Sequence, residues 1–163
     1  MFRILLAAIG AAAVGTASAG SVTVTPVNAG NFADAGRTPW ERDATVAALT
    51  RHLQALGARH LPADQVLKVE LLDVDLAGTL HHSATAGREL RILRGSADVP
   101  RFHLRYTLES AGQPPQSGEE SLSDLDYGHG SIRRLDSQPL QYEKQLLDRW
   151  FKARFVERRA APG

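Results

Sequence analysis

Between Arg101 and Leu108 the chain alternates without a break, with Phe102, Leu104, Tyr106 and Leu108 on one side and Arg101, His103, Arg105 and Thr107 on the other. Period two is the mark of a half-buried strand, because successive side chains point to opposite faces of a sheet. Gly112-Gln113-Pro114-Pro115 then predicts a turn, and Ser117 to Leu125 an antiparallel return. Ser21 to Val27 alternates through Val22 and Val24, with Pro26 confining it to an edge or a strand end. Val66 to Leu76 is rich in branched residues, and its apolar phase slips from Leu67, Val69 and Leu71 to Leu72, Val74 and Leu76. That slip predicts a bulge near Leu71-Leu72 or burial on both faces. Ala77 to Pro100 has no clean period and reads as a long excursion with a short element around Leu90 to Leu93.

Two segments carry the helical period instead. Thr38-Pro39-Trp40-Glu41 combines a hydroxyl cap, proline at the first helical position and glutamate three residues after the cap. Val46, Leu49, Leu53 and Leu56 continue it as one stripe, with Gly57 as the expected stop and Leu61-Pro62 as the limit. From Pro139 onward Tyr142, Leu146, Leu147, Trp150, Phe151 and Phe155 recur at helical spacing, with Ser137 or Gln138 as cap and Lys152 and Arg154 in the last turn. The order β-α-β-β-β-α predicts an α+β two-layer sandwich, with about four strands in a mixed or antiparallel sheet and both helices on one face.

Residues 1–19 predict a secretory signal peptide: Arg3, an apolar run from Ile4 to Val14, and Ala17-Ser18-Ala19 as the small-x-small cleavage pattern. Cleavage after Ala19 places a single domain over 20–163, ordered over about 21–156, in the periplasm. The apolar run is too short for a bilayer core of roughly 30 Å, and no stable membrane anchor is expected. Of the 19 basic residues Arg3 alone leaves with the leader, which balances the remainder against the 18 acidic residues. Neutrality argues against nucleic acid as a partner. The chain has 0 cysteines, so disulfide staples, thiol chemistry and a lipid-modified cysteine are excluded together.

The candidate chemistry is sparse. Asp73 and Asp75 share one strand face and Asp124 and Asp126 repeat the spacing, so neighbouring strands in register would gather four carboxylates for a hard cation. Solvated strand ends are the competing reading. His81-His82 diverge on any regular element, and only a loop would turn both, with His129, to one ion. His52, His60 and His103 read as surface or boundary residues. There is no Gly-x-Ser-x-Gly elbow, phosphate loop or dinucleotide motif. No cofactor is expected. Arg88, Arg91, Arg94, Arg101 and Arg105 form the densest basic run, read as a solvated face before a polyanion site.

Four stretches resemble the bacterial exported family called domain of unknown function 3016. They are Leu72-Asp73-Val74-Asp75-Leu76-Ala77-Gly78, the segment from Arg91-Ile92-Leu93-Arg94-Gly95 to Pro100-Arg101, Gly118-Glu119-Glu120-Ser121-Leu122-Ser123-Asp124-Leu125-Asp126-Tyr127, and Tyr142-Glu143-Lys144 through Asp148-Arg149-Trp150-Phe151. The resemblance implies an uncharacterised exported domain, with no established catalytic residues to carry over. The element order also looks like that of small envelope domains that bind other envelope proteins. The expected function is therefore a non-enzymatic binding or assembly module of the envelope, taking an envelope protein or a small ligand. Its binding candidates are Asp73, Asp75, Glu119, Glu120, Asp124 and Tyr127. The alternative is a metal- or carboxylate-dependent envelope hydrolase built on Asp73, Asp75, Asp124 and His129.

Overall fold

A computed structural model describes residues 19–83, 88–93, 98–125 and 139–157. The expected signal peptide thus lies almost entirely outside the described residues, as do Asp126, Tyr127, His129, Ser137 and Gln138. Strand β1 (Ser21–Pro26) is followed by helix α1 (Pro39–His60), β2 (Gln65–Asp75), β3 (Thr79–Ser83), β4 (Arg88–Ile92), β5 (Arg101–Ser110), β6 (Gln116–Ser123) and α2 (Gln141–Phe151). The main sheet has the order β1-β2-β5-β6, parallel between β1 and β2 and antiparallel elsewhere. It is the mixed four-stranded sheet of an α+β fold, with Pro26 on an edge strand.

One face of the sheet is dry. Leu67, Val69 and Leu71 of β2, and Phe102, Leu104 and Tyr106 of β5, pack into one core with Leu49 and Leu53 of α1 and Leu147 and Phe151 of α2. The other face carries Lys68, Glu70, His103, Arg105 and Glu119 in contact with water, as the alternation requires. The apolar phase slips where expected: the β2–β5 register shifts between Leu71 and Asp73, and Val74 re-enters the core. Among the described residues, no helix is long and apolar enough to cross a membrane.

Helix α1 begins as its sequence dictates. The Thr38 hydroxyl accepts from the Glu41 N–H at 3.1 Å, while the Glu41 carboxylate accepts from the Thr38 N–H at 3.0 Å and the Arg37 N–H at 2.9 Å. Such a reciprocal cap stabilises a helix by about 1 kcal/mol. Its end corrects the expectation: Gly57 is no stop, and the helix runs on to His60. Gly57 is needed for clearance, because a Cβ there would lie 2.2 Å from Cγ2 of Val22, so α1 and β1 pack with backbone against side chain.

Two other expectations change. The excursion from Ala77 to Pro100 forms the antiparallel hairpin β3–β4, a second small sheet that gives the order β-α-β-β-β-β-β-α. Helix α2 is capped by Leu140, a non-glycine residue at φ 60°, and starts at Gln141. After Phe151 the chain widens into a π-helical turn, Lys152–Glu157, that brings Phe155 to 5.1 Å from the Phe151 ring and 5.3 Å from the Trp150 and Tyr106 rings.

Candidate functional site

The C-terminal end of β2 gathers charged side chains from several elements. Asp73 sits beside the bulge, and its Oδ1 accepts from the Val74 N–H at 2.9 Å and from the Ala33 N–H at 2.8 Å. The loop before α1 is thereby drawn against the strand. Asp34 completes a parallel bridge to Asp75, donating its N–H to the Val74 carbonyl at 2.9 Å and accepting from the Leu76 N–H at 3.0 Å. The Asp34 side chain turns to Arg91 of the hairpin, whose Nη1 lies 2.8 Å from its Oδ2. The same nitrogen donates to the carbonyls of Gly78 at 2.7 Å and Ala77 at 3.3 Å. Glu143 of α2 reaches the other side of Ala77, accepting its N–H at 2.8 Å. Loop, strand, hairpin and helix are therefore tied together at Ala77-Gly78.

These ties frame a cleft of about 650 Å³. Its charged lining is Asp34, Arg37, Asp75, Asp98 and Arg101, and its apolar lining includes Phe32, Leu80 and Val99. Arg101 lies 3.4 Å from Asp75, a long contact for an ion pair between half-exposed groups. Burial pushes the Asp75 carboxyl above its ordinary value; Arg101 pulls it down while Asp34 and Asp73 push it further up. Oδ2 of Asp98 is shielded from solvent and finds no hydrogen-bond partner among the described residues. Among the described residues Arg101 and Asp98 are incompletely paired, an arrangement suited to ion pairing with a ligand.

The sequence-derived candidates scatter around this point. Asp75 lines the cleft and Asp73 supports it from the water-facing side of the sheet. Asp124 is buried on the helix side against Arg149, away from Asp73 and Asp75 on the water face, and Asp126 lies outside the described residues. Glu119 stands on the water face, held by Arg105 at 2.9 Å and His103 at 3.0 Å, while Glu120 points to the opposite face and pairs with Arg154 at 2.5 Å. His81 and His82 are successive residues of β3 and so face opposite ways. Among the described residues, no three histidine or carboxylate side chains gather closely enough to hold a metal ion. Of the basic run, Arg91 is an internal tie, Arg101 and Arg105 are half-exposed and pair with Asp75, Glu70 and Glu119, and Arg94 lies outside the described residues. Sequence reasoning missed Asp34, Arg91, Asp98 and Glu143 as parts of the site. Only the Asp34-Ala35-Gly36 turn, in which Oδ1 of Asp34 accepts from the Gly36 N–H at 3.2 Å, left a local signal.

Four carboxylates give the fold a pH signature. Glu41, through the Thr38 N–H, and Glu119, through Arg105, titrate below their ordinary value of 4.5, so the stability they contribute is lost as pH falls below it. Glu143 titrates above 4.5 and Asp75 above 3.8, both chiefly because burial disfavours the charged form. Their unfolded forms release protons first, so stability falls as pH rises through the interval up to their folded values. The combined contribution of these groups is greatest near the ordinary carboxylate range and declines on either side. Glu143→Gln is expected to flatten the decline on the alkaline side in urea titrations run from about pH 4 to pH 8. Parallel profiles for the two proteins would contradict this assignment.

A family model described as "Protein of unknown function (DUF3016)" matches residues 20–153. No curated protein and no solved structure matches the chain.

Proposed function

The chain belongs to the DUF3016 family, and from that premise we propose that it is an exported, non-catalytic binding module of the bacterial envelope whose ligand or partner enters the cleft beside Asp75. The observation that carries this reading is the gathering of Asp75, Asp98, Arg37 and Arg101 in one cleft whose walls are anchored through backbone bonds at Asp34 and Ala77. Side chains of both signs on rigid supports select a ligand by charge and shape with little reorganisation. The leader directs the module to the periplasm, where the absence of cysteine leaves it untethered by lipid.

Two measurements test the reading. Protein recovered from the periplasmic fraction is expected to begin at Gly20; retention of Met1 on a cytoplasmic product would sink the export claim. A benzophenone amino acid at Thr79, in the cleft lining, is expected to give a discrete photoadduct in intact cells, whereas the same probe at Gln116, exposed at the opposite end of β6, gives none. Equal labelling at both positions, or none at Thr79, would remove the cleft as the binding site. The hydrolase reading retains one supporting observation, the raised Asp75 carboxyl beside Asp34, which suits a proton donor. Stoichiometric metal in the purified protein, measured by elemental analysis, would favour it.

A further inference from the structure

Resting on the reading of the cleft as a binding site, we infer that its ligand is a zwitterion of the amino-acid or peptide type, carrying a free carboxylate and a protonated amine. The lining holds unspent capacity of both signs. Arg101 has a side chain 56% exposed and, among the described residues, is held only by the 3.4 Å contact to Asp75. A guanidinium so loosely committed offers a two-pronged donor to an incoming carboxylate. Asp98, in the same lining, offers a carboxylate to an N–H donor. Asp75 offers a second, and its burial penalty falls when a cation arrives.

One-sided ligands fit less well. A simple anion meets Arg37 and Arg101 but brings a like charge against Asp75 and Asp98, and a simple cation meets the reverse. A zwitterion answers both sets at once, and Phe32 and Leu80 give its apolar portion a surface to cover. The volume of about 650 Å³ admits a short peptide rather than a single ion.

The test uses L-alanyl-L-alanine, its N-acetyl form and its C-terminal amide, titrated into ¹⁵N-labelled protein and followed by amide chemical shifts. The free dipeptide is expected to shift Gly36, Gly78 and Thr79 saturably, and blocking either terminus to weaken binding about tenfold or more. Arg101→Gln is expected to weaken the free dipeptide to the level of its amide, with little further loss on amidation, because the two changes remove the same contact. Asp98→Asn should do the same for the N-acetyl form, and the dispersion of the remaining amides reports whether each variant is folded. Blocked forms that bind as tightly as the free dipeptide, or an Arg101→Gln protein that loses both forms equally, would overturn the assignment. No cleft shift with any of the three probes would overturn it too, while the Thr79 photoadduct separately decides whether the cleft binds at all.

Discussion

Phe151→Ala is expected to cost the domain about 3–5 kcal/mol, the upper range for truncating one core side chain. The side chain is 0% exposed, and its ring lies 5.1 Å from that of Phe155, 6.3 Å from Trp150 and 6.2 Å from His60. Two contributions add. Removing the ring returns its transfer free energy to water and leaves a cavity, and each tilted aromatic pair that it breaks forfeits roughly a further 0.5–1.5 kcal/mol at most. Collapse cannot refill the space cheaply, because its walls belong to three supports: His60 at the end of α1, Trp150 on α2 itself and Phe155 on the π-helical turn. A domain of ordinary stability, about 5–15 kcal/mol, would lose a large share of it. Urea unfolding should show a lower midpoint at unchanged slope. A loss below about 1.5 kcal/mol, the range of a tolerated volume change, would mean that α2 does not seal this core.

The parts of this fold that the sequence announces are those specified over short distances. Thr38 and Glu41 lie three residues apart and cap α1 as their spacing requires. The Arg101–Leu108 alternation sorts β5 between core and water, and the phase slip in β2 marks its bulge. Gly57 shows where local rules fail. Its flexibility reads as a terminator, but the need for it comes from Val22, on a strand that closes against α1 only in the folded chain. Of the hairpin β3–β4 only the short element around Leu90 to Leu93 was legible, since its anchorage comes from partners far along the chain and not from an apolar period of its own.

The candidate site follows the same division. Asp73 and Asp75 were legible because their spacing puts both carboxylates on one strand face, and both act at the cleft, one as support and one as lining. Asp124 shares that spacing with Asp126, yet the β6 alternation puts it with Glu120 and Leu122 on the helix side, against Arg149. Spacing within a strand fixes a face; it does not fix which face meets which loop. Arg91 and Asp34 are 57 residues apart, and Glu143 and Ala77 are 66 apart. Each looks like an ordinary surface charge until the chain closes. Burial then converts Glu143 from a helix-surface residue into the acceptor for an amide that would otherwise be unpaired.

Arg91→Ala is expected to cost about 2–3 kcal/mol and to detach the hairpin from the cleft. One guanidinium nitrogen has two hydrogens, and Nη1 of Arg91 shares them among Asp34 at 2.8 Å, the Gly78 carbonyl at 2.7 Å and the Ala77 carbonyl at 3.3 Å. The two short contacts dominate. Truncation leaves the Asp34 carboxylate, 28% exposed, without its cation and leaves the Gly78 carbonyl buried without its donor. Partial access of water to Asp34 holds the loss below the 3–5 kcal/mol typical of a fully buried pair. The damage is local first: Gly78, at φ 80° and bonded through its N–H to the Asp98 carbonyl at 3.0 Å, is the hinge that the guanidinium clamps. Hydrogen exchange should therefore accelerate at Gly78 and through β3 and β4 well before it does in α1. Arg91→Lys is the discriminating variant, because an ammonium supplies the charge without the planar reach to carboxylate and carbonyl together. It should recover less than half of the loss. Full recovery by lysine would show that charge alone holds the hairpin, and unchanged exchange in Arg91→Ala would show that the hairpin is held from elsewhere.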